Sequence, residues 1–371
     1  MVTRMTWIPA EGTYQVAETN EPFNPTIGKL TFHPMSALDV VAATNDDEDE
    51  DHPISMRPGE APPSRPELIS EEVSDPKKHA IASRAVTSLL NCAALCNIAS
   101  VFQERESPNS EDAEDTPTEE KQEPGMLTGR YAATGDPTEI AIQVLAHRFD
   151  WGKPTLVSGE KKWSEVYEYP FDSTVKRMAV IFQAPEGKER HVFMKGAVEM
   201  VLEACSAVMV PSTRGEEVAE LNQEWKDRIL ANMEAIASKG LRCLALATKI
   251  WDERDVRDDD YEESSPDGSD AVDDQPPRKA VERGLVFLGL IGIYDPPRPE
   301  SAPSVAQFSK ASIRTHMLTG DHPGTATAIV RLLSFPLCEN RLTIPLSLYR
   351  PKKSGSFLRT TSYSRRRPSR L

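Results

Sequence analysis

Six short segments gather the residue types that could do chemistry. They are Gly135-Asp136-Pro137-Thr138-Glu139, Pro170-Phe171-Asp172-Ser173-Thr174-Val175-Lys176-Arg177-Met178, Met194-Lys195-Gly196-Ala197-Val198-Glu199, Leu241-Arg242-Cys243-Leu244-Ala245-Leu246-Ala247, Asp295-Pro296-Pro297-Arg298 and Met317-Leu318-Thr319-Gly320-Asp321-His322. Phe171 offers a flat apolar face on which a planar group can stack. Lys176 and Lys195 are point charges and Arg242 is a planar fork, so all three can meet an anion. Gly196, directly after Lys195, permits close backbone approach, and Glu139 can accept hydrogen bonds. Each also has an ordinary reading. Phe171 could be plain core, Lys176 a charge guarding a strand edge, Arg242 half of a surface ion pair, and Thr319-Gly320-Asp321 a simple turn.

Other chemistries have no motif. The chain contains no GxGxxG, GxxxxGK[ST], GxSxG or HExxH pattern, which excludes by motif a P-loop enzyme, a Rossmann dehydrogenase and an ordinary serine hydrolase. The five cysteines are Cys92, Cys96, Cys205, Cys243 and Cys338. Cys92 and Cys96 share a helix face at i, i+4, but two ligands do not make a zinc site, and they read as small buried apolar residues. The seven histidines show no ligand spacing. No metal site is expected within the chain.

The elements that must position the six segments can be read from periodicity and turn chemistry. Residues 5–42 read as short strands and turns, and 79–102 as a helix with apolar positions at Ile81, Ala85, Leu89 and Ala93. Asp136 or Thr134 can cap a helix over IAIQVLAHRF, with Pro137 in its first turn. Residues 165–169, 175–183, 190–194, 241–251 and 285–294 read as strands, and 196–206 and 216–238 as helices. This order implies an α+β domain built on a mainly antiparallel sheet. After Tyr294 the pattern changes to helix, strand (Thr315-His316-Met317-Leu318) and a Gly-Asp turn, which reads as a parallel βα arrangement.

Composition sets the boundaries. The 371 residues carry a formal charge of −15, an apolar fraction of 39% and 30 prolines, with a mean hydropathy of −0.46. Acid-rich and Pro-rich stretches at about 43–66, 103–125 and 252–279 cannot bury enough surface to offset the entropy of ordering, and read as disordered insertions. Residues 341–371 hold nine Lys or Arg and no acid, so the rest of the chain is more acidic still. Such a body does not suit a phosphate backbone, and nucleic acid is not an expected partner. The start MVTRMTWIPAEGTYQV has no apolar signal region. The best uncharged run, Ala85–Phe102, carries Thr87, Ser88, Asn91, Asn97 and Ser100, which lipid penalises. It reads as a buried helix, so no membrane span is expected.

Taken in order, the six segments resemble those of the P-type cation-transporting ATPases, and most closely the fungal sodium- or potassium-exporting type. The resemblance covers about residues 1–330. It implies a nucleotide-binding domain over 1–290, followed by part of an α/β haloacid-dehalogenase-like phosphorylation domain over 291–330. It implies that Glu139, Phe171, Lys176, Lys195, Gly196 and Arg242 line an ATP pocket. Phe171 would stack on adenine, Glu139 would accept from its amino group, and the cations would meet the triphosphate. Asp295 and Arg298 resemble the family's hinge motif, and Thr319, Gly320 and Asp321 the loop beside the phosphorylated Asp.

The match also breaks. No Asp-Lys-Thr-Gly and no Gly-Asp-Gly-x-Asn-Asp occurs in the chain, so the nucleophile and the acidic Mg²⁺ ligands of the family are missing. No catalytic residue is therefore assigned, and Mg²⁺ is expected only in the full-length family. Residues 331–371 resemble nothing in the family and read as a disordered basic tail, of the kind a misread intron or shifted frame would produce. The expectation is a truncated Na⁺ or K⁺ transport ATPase that retains ATP binding, soluble and cytoplasmic as this chain but membrane-bound in the full-length family. Two alternatives stand beside it. One is a soluble nucleotide-binding or interaction protein derived from a pump remnant; the other is a phosphohydrolase using Asp321, for which the second acid is lacking.

Overall fold

The computed structural model describes residues 1–17, 19, 21–34, 70–105, 127–158, 162–185, 187, 189–212, 215–257, 260 and 275–333. The large sheet runs β4 (Glu71–Glu72), β3 (Lys29–Pro34), β2 (Gly12–Ala17), β1 (Val2–Ile8), β13 (Leu285–Tyr294), β12 (Leu241–Trp251), β9 (Arg190–Gly196), β8 (Arg177–Gln183) and β7 (Ser164–Asp172). Every neighbouring pair along this path is antiparallel. β10 (Cys205–Ser212) adds a parallel pairing to the first residues of β13, and β11 (Gly215–Glu220) pairs antiparallel with β10. The fold is thus the mainly antiparallel α+β architecture that the element order implies.

β13 is central, and its sequence says so. LVFLGLIGIY is an unbroken apolar run, and its interior is buried, as a strand covered on both faces must be. Alternation along β9 divides the core into two layers. Val192 and Met194 face one cluster with Val201, Ile229, Ile236 and Leu290. Phe193 faces the other, with Leu89, Leu90, Ile142, Leu145 and Phe149.

Helices cover both faces. On the Phe193 side lie α1 (Pro76–Ala82), α2 (Arg84–Leu95) and α3 (Pro137–Arg148). The Ser83 side chain accepts from Val86 N–H at 3.1 Å and caps α2, and Asp136 accepts from Thr138 N–H at 2.8 Å and caps α3. The short α4 (Lys153–Val157) follows. On the other face lie α5 (Val198–Ala204), α6 (Gln223–Ser238) and α7 (Arg278–Val281). α6 rests directly on β13 because Gly292 has no side chain; a Cβ there would lie 2.7 Å from Ile236. β5 (Ser100–Arg105) and β6 (Leu127–Thr134) form a separate two-stranded sheet, and α8 (Ser301–Lys310) and α9 (Pro323–Leu332) follow β13.

Several sequence expectations are corrected. The helix read over 79–102 is two helices and a strand, because Ser83 ends α1 and caps α2. Residues 216–220 belong to β11, and the helix begins after its Asn222 cap. Thr315–Leu318 is not a strand, and Leu318 is 93% exposed; among the described residues no neighbouring strand offers it a ladder. The parallel βα arrangement read after Tyr294 is therefore two helices among the described residues. The acidic stretches also carry more structure at their margins than composition implies. β5 runs on to Arg105, and Asp260 is 2% exposed, accepting from both terminal nitrogens of Arg283 at 2.6 and 2.8 Å. The remainder of those stretches, residues 43–66 and the tail from 334 onward lie outside the described residues.

Candidate functional site

Strand register brings the residues that the resemblance assigns to an ATP pocket to one end of the sheet. Asp172 pairs with Arg177, Arg177 with Gly196, and Gly196 with Ala245. Arg242 lies three residues further toward that end on β12, and α3 begins beside it. The turn between β7 and β8 is built by its own residues. Asp172 accepts from the backbone N–H of Thr174 at 2.7 Å and also from its hydroxyl, and these bonds hold its carboxyl below the usual carboxylate range. Lys176 closes the turn with φ of +52°, a left-handed conformation that costs a non-glycine residue about 1–2 kcal/mol and so must be held.

Gly196 is one of the holders. A Cβ there would lie 2.6 Å from the Lys176 carbonyl oxygen and 2.7 Å from the Arg177 Cβ. The Lys176 carbonyl accepts from Ala197 N–H at 3.0 Å. Close approach of two backbones thus explains the glycine after Lys195. Phe171, next to last in β7, is 61% exposed, and Lys176 at the end of the turn is exposed as well.

Lys195 and Glu139 form the floor. Their side chains are 7% and 11% exposed, and Nζ donates to Oε1 at 2.7 Å. The other carboxylate oxygen, Oε2, accepts from Ile98 N–H at 2.8 Å, and the Glu139 carbonyl accepts from Asn97 Nδ2 at 3.0 Å. Lys195 is therefore turned toward a carboxylate inside the domain rather than toward solvent. Behind it, the Cys92 thiol donates to the Met194 carbonyl at 3.4 Å and the Cys96 thiol to the Met178 carbonyl at 3.6 Å. Burial pushes the Cys96 thiol up to about 12 and Cys92 well above its ordinary value, so these thiols are packing residues with weak hydrogen bonds.

The second group is only partly gathered. Asp321 meets Arg242 in a bidentate pair, with Nε donating to Oδ1 at 3.1 Å and Nη2 to Oδ2 at 3.3 Å. Asp321 N–H donates to the Thr319 hydroxyl at 3.1 Å, and Thr325 donates to the Leu241 carbonyl at 2.9 Å, seating α9 against α6 and β12. Gly320 lies in the same turn. Asp295 and Arg298 are exposed in the connection between β13 and α8. Sequence reading missed Asn97, Ile98, Arg278 and Glu282, which flank the floor and the turn. For Arg278 and Glu282 the i, i+4 charge spacing was an available signal.

A mainly antiparallel sheet with helices on both faces fits the architecture of a P-type ATPase nucleotide-binding domain. The family profile for cation ATPases, described as "P-type ATPase, cytoplasmic domain N", matches residues 85–300, and the chain belongs to this family. It is similar to the sodium/potassium exporting P-type ATPase cta3 of Schizosaccharomyces pombe, with 37% identity over 331 residues, which are 89% of this chain and 25% of that protein. It is similar to the sodium/potassium exporting P-type ATPase 1 of Saccharomyces cerevisiae, with 30% identity over 89% of this chain and 28% of the relative. It is also similar to the calcium-transporting ATPase 1 of Bacillus cereus, with 33% identity over 56% of this chain and 20% of the relative. The chain spans about a quarter of the length of the sodium/potassium exporting relatives it matches. Among the described residues no helix is long and apolar enough to cross a membrane.

Proposed function

We propose that this chain binds ATP at the end of the sheet bounded by Phe171, Lys176, Gly196 and Arg242, over the Lys195–Glu139 floor. The observation that carries the reading is the exposed Phe171 ring at the end of β7, on the same hairpin whose turn closes at the exposed Lys176 and packs against Gly196. An adenine ring stacks on Phe171. Lys176 and Arg242 meet the phosphates, Lys176 as a mobile point charge and Arg242 as a fork. The Glu139 carboxylate keeps accepting capacity beyond its bonds to Lys195 and Ile98, and it can take the adenine amino group. Lys195 holds that carboxylate in place, so it acts on the nucleotide chiefly through Glu139.

Arg242 is shared with Asp321, so a phosphate must displace that carboxylate or join it. Residues 291–330, with Asp295, Arg298, Thr319, Gly320 and Asp321, are read as part of a phosphorylation domain that would lie against the nucleotide. The 371 residues contain no Asp-Lys-Thr-Gly, so the share of the reaction assigned here is to bind and present ATP. Transport of Na⁺ or K⁺ would be the activity of the whole pump, and its loss in this chain is part of the proposal. The family's chemistry also uses Mg²⁺. Among the described residues no three His, Cys, Asp or Glu side chains gather to hold a metal.

A site that a neighbouring domain completes binds weakly alone, with Kd in the high-micromolar to millimolar range, about −4 to −6 kcal/mol. ATP titrations of the wild type, Phe171→Ala and Lys176→Ala test the proposal. Both variants should weaken binding severalfold or more; unchanged affinity in both would sink it.

A further inference from the structure

We infer that Glu282, together with Arg278, is a positioning residue for the nucleotide turn, a role that rests on the ATP reading above. The segment from Gln275 to Glu282 lies along the β7–β8 hairpin and grips both of its strands. On β7, Gln275 Nε2 donates to the Glu168 carbonyl at 3.3 Å, and the Tyr169 hydroxyl donates to the Pro276 carbonyl at 2.6 Å. On β8, Arg278 Nη2 donates to the Arg177 carbonyl at 2.8 Å. Glu282 closes the clamp: its side chain is 1% exposed, Oε2 accepts from Arg177 Nε at 2.5 Å, and Oε1 accepts from Arg278 Nε at 2.8 Å.

The clamp is anchored from behind. Ala280 and Val281 are fully buried, and Lys249 Nζ donates to the Ala280 and Arg283 carbonyls at 3.1 and 2.8 Å. Arg177 directly follows Lys176, whose left-handed backbone must be held against its own strain. Gly196 presses on that turn from one side, and the Glu282–Arg278 pair fixes Arg177 at both its side chain and its carbonyl. A buried carboxylate bonded to two guanidinium groups is a rigid peg. Without it, Arg177 loses its carboxylate acceptor and keeps the longer 3.5 Å bond from Nη1 to the Met200 carbonyl, so the turn relaxes, taking Lys176 away from the phosphate position. Glu282 is kept from the nucleotide by its burial and acts through Arg177 and Lys176.

The experiment is a double-mutant cycle read by ATP titration of the full chain. Glu282→Gln should weaken ATP binding roughly tenfold, equivalent to about 1.4 kcal/mol. In the Lys176→Ala background the same substitution should add less than about twofold, because both changes remove one interaction. A loss that carries over in full to the Lys176→Ala background would overturn the positioning role, as would unchanged affinity in Glu282→Gln. If Glu282→Gln fails to fold, Arg278→Gln serves in its place, since it leaves Glu282 paired with Arg177; a severalfold loss supports the role and no loss overturns it. A wild type that does not bind ATP, or unchanged affinity in both Phe171→Ala and Lys176→Ala, would remove the ATP reading itself and this role with it, while a Lys176→Ala variant that alone binds normally would remove this role. Normal effects of Phe171→Ala and Lys176→Ala with a silent Glu282→Gln would remove this role alone.

Discussion

Lys195→Met removes one half of a buried ion pair, and its cost can be worked from the structure. The two charges approach to 2.7 Å with side chains 7% and 11% exposed. At an effective dielectric of about 20 this separation corresponds to roughly 6 kcal/mol of attraction. Desolvation of the two ions costs several kcal/mol each, so the intact pair contributes little net stability. Removing only the ammonium is different. The Glu139 carboxylate stays buried with the Ile98 N–H as its remaining hydrogen-bond donor, and leaving a buried charge uncompensated costs about 3–5 kcal/mol.

Urea unfolding followed by the fluorescence of the five tryptophans reads that loss. With m of roughly 3 kcal/mol per molar, the midpoint should fall by about 1–1.7 M. Glu139→Gln should also destabilise. The double variant Lys195→Met/Glu139→Gln should recover much of the loss, with a coupling near the upper end of about 0.5–3 kcal/mol. It should not recover full ATP binding, because the carboxylate proposed to take the adenine amino group is gone. Single variants that each cost under about 1 kcal/mol and add independently would refute the reasoning, since that is how a solvent-screened surface pair behaves.

Phe171→Ala should leave stability within about 0.5 kcal/mol of wild type, as substitution of an exposed side chain does, while weakening ATP; a large drop in the urea midpoint would mean the ring is core. Gly196→Ala should cost about 1–3 kcal/mol and abolish ATP binding, because its Cβ meets the Lys176 carbonyl at 2.6 Å; a stable variant with normal affinity would contradict the close approach. Burial holds His33, His147 and His191 below the ordinary histidine pKa. The unfolded chain therefore takes up protons that the folded chain refuses once the pH drops below about 6.5, and stability should fall from pH 7.5 to 5.5. Glu11, raised by burial, tilts the balance the other way above its ordinary pKa, so the comparison is made within one variant pair. His147→Gln should flatten the urea-midpoint change, and an identical slope in both proteins would count against the histidine assignment.

Much of the fold was legible because its signals are local. LVFLGLIGIY and LRCLALATKIW are apolar runs bounded by clear breaks, and both are strands over the residues read from sequence. Asp136 followed by Pro137 announced the start of α3, and the structure selects Asp136 over Thr134 as the cap. The division at Ser83 was hidden because a single serine interrupts an otherwise continuous apolar periodicity. β10 was hidden because CSAVMVPS follows a helix of similar composition, and its pairing partner Leu285–Phe287 lies some 80 residues away in sequence. Thr315–Leu318 shows the converse: a strand-like tetrapeptide does not form a strand without a neighbour to pair with.

The site divides in the same way. Residue types marked Phe171, Lys176, Gly196 and Arg242, and strand register then places them at one sheet end. The pairing of Lys195 with Glu139 could not be read from spacing, because it depends on the N-terminus of α3 packing against the end of β9. Nor could the contact of Arg242 with Asp321, across 79 residues of chain, or the clamp of Arg278 and Glu282 on Arg177. Long-range partners of charged side chains are set by tertiary packing, which has no sequence period.

Photolabelling with ATP carrying an azido group on adenine tests the central claim most directly. The label should appear in the peptide spanning β7, its turn and the start of β8, around Phe171–Lys176, and excess ATP should suppress it. Labelling elsewhere, or labelling of that peptide which excess ATP does not suppress, would contradict a nucleotide seated on Phe171 at this end of the sheet.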